Sequence, residues 1–215
     1  MLDELKRIVL RTAREAERQG LCRKKSGNFS CRDAVSGYVV MTPRGVDRQL
    51  MTEDDIIVMD MGGQIVEALT GLSPTSEAFM HLAAYETRPD VRAVVHTHSK
   101  FALTFAVAEE PIPAMVIEAA HLKPQTGYIP LAAYARQGTR ELAASIREPL
   151  TKCDGILLAK HGVLTVGDAP DDALLKAMYV EDIAEIYFNV RLLGKRPGPL
   201  PPDELKLRYP WPVKQ

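Results

Sequence analysis

A mixed or antiparallel sheet flanked by helices is the fold this sequence predicts, and three observations carry the prediction. Short β-rich runs alternate with segments whose apolar residues recur at helical spacing. The connections between them are too short and too mixed for repeated βαβ units. A length of 215 residues, 46% of them apolar and 26% charged, is that of one soluble domain with a substantial core.

The elements follow in chain order. Leu2, Leu5, Val9, Ala13 and Ala16 predict an amphipathic helix over 2–19, stopped at Gly20. Ser26-Gly27-Asn28 reads as a polar turn entering a strand. Tyr38-Val39-Val40-Met41 and Ile56-Ile57-Val58-Met59 predict strands, punctuated by Pro43, Gly45, Gly62 and Gly63. Ser73-Pro74-Thr75-Ser76 precedes a helix running to Tyr85 and ended by Arg88-Pro89. A strand over 92–97 leads into an apolar helix over 99–108. Prolines interrupt 111–130, which is expected to hold short strands. A helix over 138–147, a strand over 156–159 and a long helix over 170–193 complete the pattern, the last opening at Pro170 and stopping at Gly194. The proline-rich arm 195–215 can be neither regular helix nor central strand, and is expected to belong to the same domain as 1–194.

Composition narrows the function classes. A formal net charge of −1 predicts neither a nucleic-acid nor a membrane partner. No apolar run approaches the ~18 residues needed to span a bilayer. The opening Leu2-Asp3-Glu4-Leu5-Lys6-Arg7 is not a signal peptide, and Cys22, Cys31 and Cys153 suit free thiols. The expectation is a cytoplasmic protein.

His96 and His98 leave one face of the strand at 92–97, ~7 Å apart along the backbone, where two imidazoles can share a metal ion. His161 also follows an apolar β-rich run directly. Three imidazoles leave a fourth position open for water or substrate, the pattern of catalytic zinc. Glu77, at a helix start, is the candidate carboxylate; capping that helix is its alternative role. The turns at Ser26-Gly27-Asn28 and Thr42-Pro43-Arg44-Gly45, with the helix start at Thr75 and Ser76, offer N–H groups and hydroxyls to an anion. His81 on that helix reads as a hydrogen-bonded packing residue.

The ordered set SGNFS, TPRG, SPTSE, HTHS and KHG resembles the class II aldolase/adducin family, especially its L-fuculose-1-phosphate aldolase-type members, from Leu21 to about Leu193. That resemblance implies a three-layer α/β/α fold with a mixed, largely antiparallel sheet, and a homotetramer with sites between subunits. It implies a divalent metal, Zn²⁺ or alternatively Co²⁺, Mn²⁺ or Fe²⁺, held by His96, His98, His161 and Glu77, with Glu77 also the acid/base. It places substrate phosphate at Gly27, Asn28, Gly45, Thr75 and Ser76, with Arg44 an added cation where the family has a small hydroxyl residue. Tyr209 in the arm is the counterpart of a tyrosine that reaches a neighbouring site and protonates the aldehyde oxygen. The implied reaction is cleavage of a ketose 1-phosphate, L-fuculose 1-phosphate or a related deoxy-ketose 1-phosphate, to dihydroxyacetone phosphate and a short aldehyde. Zinc stabilises the enediolate charge as a Lewis acid, so Lys100 and Lys160 need form no Schiff base.

The chain departs from the pattern between Pro113 and Tyr128, where it lacks an evident site tyrosine and carries Glu118 and His121. These are a solvated strand edge or loop, or Glu118 is a second acid/base, as in relatives that decarboxylate, dehydrate or epimerise sugar phosphates. Glu77 argues against the epimerases, which carry aspartate near that position. A non-catalytic adducin-like assembly module has no need of an intact metal set.

Overall fold

The computed structural model describes residues 2–206. Its eight-stranded sheet runs in the order β4-β3-β2-β1-β5-β10-β9-β8. The strands are β1 (Asn28–Arg32), β2 (Val39–Met41), β3 (Ile57–Met59), β4 (Ile65–Glu67), β5 (Ala93–Thr97), β8 (Leu131–Ala132), β9 (Gly155–Leu158) and β10 (Gly162–Gly167). Every neighbouring pair is antiparallel except β8 and β9. A separate two-stranded pair joins β6 (Ile112–Pro113) to β7 (Tyr128–Ile129).

Helices cover both faces, giving the three layers. Because strand side chains alternate, Val94 of β5 faces one layer while Ala93 and Val95 face the other. On the first face, α2 (Ala78–Thr87), α4 (Arg140–Ser145) and α5 (Arg147–Lys152) pack Leu82, Tyr85, Leu142, Ile146 and Leu150 onto Val39, Met41, Val94 and Leu164. On the second, α1 (Asp3–Arg18), α3 (Lys100–Ala108) and α6 (Pro170–Leu192) cover Phe29, Val40, Val95, Leu157 and Val163. Proline at N1 opens α6, where a missing N–H costs nothing.

Two expectations change. The predicted helix over 138–147 is two short helices meeting at Ile146. Pro149 has no N–H to continue a helix from Ser145 but fits the first turn of a new one. Glu118 and His121 lie on a 3₁₀ turn over Ile117–Leu122, not on a strand edge, because burying Ala119 and Leu122 requires a spacing of three. The arm packs back as far as it is described: Leu200 N donates to Ala114 O at 2.9 Å, and Leu205 is buried. Among the described residues no helix is long and apolar enough to cross a membrane. The thiols of Cys22, Cys31 and Cys153 are free and buried, and burial pushes them up to about 11, 11 and 12.

Candidate active site

β5 and β10 pair with His96 opposite Leu164, and His98 lies one residue past the end of β5. The chain returns from β9 through Lys160, whose φ of 57° makes the tight turn that sets His161 at the mouth of β10. The three rings meet there. Centroids of His96 and His98 are 4.8 Å apart, His96 and His161 4.8 Å, and His98 and His161 5.2 Å. One nitrogen from each ring lies within 4.8 Å of the others. His96 Nδ1 sits 2.8 Å from Val163 O and so donates to it, which turns Nε2 towards the cluster.

Glu77 is the residue before α2, and its side chain makes no capping bond. It turns inward instead. Oε2 is 3.1 Å from His96 Nε2 and accepts from Asn28 Nδ2 at 2.7 Å, while Oε1 is 3.0 Å from His161 Nε2. Burial alone would raise this carboxyl, but the His96 and His161 imidazoles hold it well below the usual carboxylate range. Burial, then repulsion by His96 and His161, lowers His98 to about 3, so it is neutral and free to ligate. Glu77 Oε1 and both His161 nitrogens are buried without a hydrogen-bond partner. Three imidazoles and a carboxylate, with orphaned donor atoms at their centre, fit a divalent metal of the zinc type.

A hydrogen-bonded chain backs the carboxylate. Asn28 Oδ1 is 2.6 Å from His81 Nε2, His81 Nδ1 is 2.7 Å from Ser30 Oγ, and Ser30 Oγ is 2.7 Å from Tyr85 Oη. His81 is fully buried, as its reading as a packing histidine requires, and burial lowers it to about 3. The Asn28 side chain is therefore engaged with Glu77 and His81.

Three turns converge beside this cluster. Phe29 N donates to Thr42 Oγ1 at 3.2 Å, Thr75 N to Thr42 O at 3.1 Å, and Arg44 N to Ser73 O at 3.0 Å. These bonds stitch the Gly27–Asn28, Pro43–Gly45 and Ser73–Ser76 segments into one rim; Arg44 is exposed on it. Lys100 is exposed, and Lys160 pairs with Glu109 at 2.7 Å, so neither has the dry setting of a Schiff-base lysine. Glu118 and His121 line a cleft with Asp168 and Lys176. Asp168 follows the far end of β10, seven residues and ~23 Å from His161 by strand rise. Within one chain Glu118 is not brought to the histidines. Tyr209 lies outside the described residues.

Sequence reasoning missed Ser30, Tyr85 and also Arg48, a buried residue whose guanidinium donates to Gly27 O at 2.9 Å. The first two had a signal: Asn28 and Ser30 are two apart on a strand, and Glu77, His81 and Tyr85 follow at intervals of four on a helix. Arg48 had none.

The chain matches the family model described as Class II Aldolase and Adducin N-terminal domain over residues 7–188. It is 34% identical over 191 residues to an L-fuculose phosphate aldolase of Haemophilus influenzae, covering 89% of this chain and 85% of the relative. It is 31% identical over 187 residues to a 5-deoxy-D-ribulose 1-phosphate aldolase of Bacillus thuringiensis serovar kurstaki, covering 87% and 85%. Its structure is similar to that of an L-fuculose 1-phosphate aldolase, with a TM-score of 0.89 and 32% identity over 94% of this chain and 93% of the other.

Proposed function

The chain belongs to the class II aldolase and adducin family, and on that premise we propose that it is a metal-dependent aldolase cleaving a ketose 1-phosphate. The carrying observation is an ionised, buried Glu77 facing His96 and His161 of a three-imidazole cluster, beside a rim of three stitched turns. The substrate is L-fuculose 1-phosphate or a related deoxy-ketose 1-phosphate, a range supported by the two kinds of aldolase among its relatives.

A divalent ion, zinc in this reading, would be held by His96, His98, His161 and, in the resting site, Glu77, and would supply Lewis-acid stabilisation of the charge that develops on oxygen. The chain's residues do the rest. The C3–C4 bond of the ketose breaks, its electron pair stays on C3, and the C4 hydroxyl loses its proton to become the aldehyde. In synthesis the ionised Glu77 takes the C3 proton of dihydroxyacetone phosphate, and in cleavage it starts protonated and delivers that proton to C3, a general acid/base held a few ångströms from the histidines. Gly27, Asn28, Gly45, Thr75 and Ser76 hold the phosphate, with Arg44 adding a charge-assisted contact. Tyr209 takes the C4 hydroxyl proton in cleavage and returns it in synthesis, from a neighbouring subunit of a homotetramer. The exposed apolar side chains Leu50, Leu69 and Tyr134 support such an assembly.

The test pairs metal analysis with substrate. Protein purified with zinc should carry about one ion per chain and release dihydroxyacetone phosphate from ketose 1-phosphates. Glu77→Gln should abolish exchange of the C3 proton of dihydroxyacetone phosphate with deuterium from solvent. A metal-free protein after zinc supplementation, or unchanged exchange in the variant, refutes the reading.

A further inference from the structure

Four side chains stand in line behind Glu77, and all five residues are buried. The contacts from Tyr85 through Ser30, His81 and Asn28 to Glu77 are 2.7, 2.7, 2.6 and 2.7 Å. Donor and acceptor chemistry sets their direction. An ionised carboxylate only accepts, so Asn28 must turn its NH₂ to Glu77 and its oxygen to His81. His81 must then carry hydrogen on Nε2, whichever its protonation state. In the neutral ring Nδ1 accepts from the Ser30 hydroxyl, which in turn accepts from Tyr85. Every link is satisfied, and reversing the amide would set an oxygen against the carboxylate and an NH₂ against an N–H.

We propose that Ser30, His81 and Tyr85 are positioning residues that lock the Asn28 amide in the one orientation aiming its N–H at Glu77 Oε2. Their consequence is an asymmetric carboxylate. Each oxygen faces one imidazole, Oε2 that of His96 and Oε1 that of His161, but only Oε2 is held by an amide donor, Asn28. Oε1 is therefore the oxygen available to carry the proton, and its place depends on a chain that ends at Tyr85, a fully buried ring. Second partners of this kind orient metal-binding carboxylates, and their loss typically costs ~10–100-fold in affinity or activity.

The experiment compares His81→Gln with His81→Asn. A glutamine amide reaches the position of Nε2 and keeps the donor to Asn28; an asparagine amide reaches only the position of Nδ1. Two readouts are taken: deuterium exchange into dihydroxyacetone phosphate, which rests on the aldolase reading, and the dissociation constant for Co²⁺, which does not. His81→Asn should lower the exchange kcat by at least about tenfold with KM little changed, and raise the Co²⁺ dissociation constant about tenfold, while His81→Gln stays near wild type in both. Equal losses in the two variants would reveal a packing role and overturn the proposal, as would no loss in either. If the wild type exchanges no proton but Co²⁺ affinity splits between the variants as stated, the aldolase reading fails and the positioning chain stands. Should His81→Asn not fold, Tyr85→Phe and Ser30→Ala take its place; unchanged Co²⁺ affinity in both overturns the proposal, and a rise of about tenfold supports it.

Discussion

The guanidinium of Arg48 donates to Gly27 O at 2.9 Å from a side chain only 3% exposed. It also donates to Lys24 O at 2.6 Å and to Ser26 O, and among the described residues no carboxylate pairs with it. A buried cation thus holds together the carbonyls of the Lys24–Gly27 turn. Gly27 has no substitute there: its φ is +77°, and an added Cβ would stand 2.5 Å from Cys22 Sγ and 2.6 Å from His96 O.

Arg48→Met should free that turn and remove the charge behind it. KM for the phosphorylated substrate and the inhibition constant for inorganic phosphate should both rise about tenfold, the equivalent of ~1.4 kcal/mol, with a smaller change in kcat. Unchanged phosphate inhibition would show that the turn does not bind the anion.

Gly162 offers a test of the metal set. A Cβ there would meet Thr97 O at 2.4 Å, His96 Cε1 at 3.1 Å and His98 Cδ2 at 3.2 Å. The Thr97 carbonyl is part of the β5–β10 pairing and cannot retreat. Gly162→Ala should displace both imidazoles and lower zinc affinity by ~10-fold or more while the protein remains folded. Full zinc content under limiting metal would contradict the assigned geometry.

Asp154 is a stability element. It is 2% exposed and receives Arg88 at 2.9 Å, Lys123 at 3.0 Å and the buried Lys176 at 2.9 Å. Asp154→Asn leaves Lys176 buried with Asp172 as its remaining carboxylate. Urea unfolding at neutral pH should show a loss of about 3 kcal/mol. Zinc affinity should not change, because Asp154 precedes β9 and His161 follows it.

His81 predicts a pH dependence of the metal-free protein. Burial lowers its pKa from 6.5 to about 3, so below pH 6.5 the unfolded chain binds a proton that the folded one refuses. Stability therefore falls as pH falls from about 6.5 towards 3, by up to ~1.4 kcal/mol per pH unit for this group. His81→Gln removes that share of the slope, and denaturant midpoints between pH 6.5 and 5 would measure it. An unchanged slope would mean that His81 is protonated in the folded state.

How far the sequence could be read depended on whether a signal was local. Periodicity placed α1 almost to the residue, and Pro170 and Gly194 did the same for α6, since an amphipathic stripe and a start or stop signal are both written in neighbouring positions. The same logic blurred the region of α4 and α5, where Pro149 breaks the chain of hydrogen bonds without ending the apolar spacing. Glu118 marks a different limit. Its residue type suggested chemistry, but a carboxylate acts only where folding brings it, and it lines a cleft at the far end of β10.

By itself the sequence determined the residue types of the cluster, the arrival of its histidines at strand ends and the family, because HTHS, KHG and SPTSE are contiguous runs whose neighbours set their local geometry. Tertiary structure alone decided that Glu77 faces His96 and His161 and caps nothing. It decided too that the Asn28 amide, 49 residues away in the chain, binds that carboxylate, and that Arg48 underpins Gly27. The reason is physical: periodicity and turn propensity act over a few residues, whereas these contacts exist only once the sheet and α2 have packed and excluded the water that would otherwise satisfy each polar group.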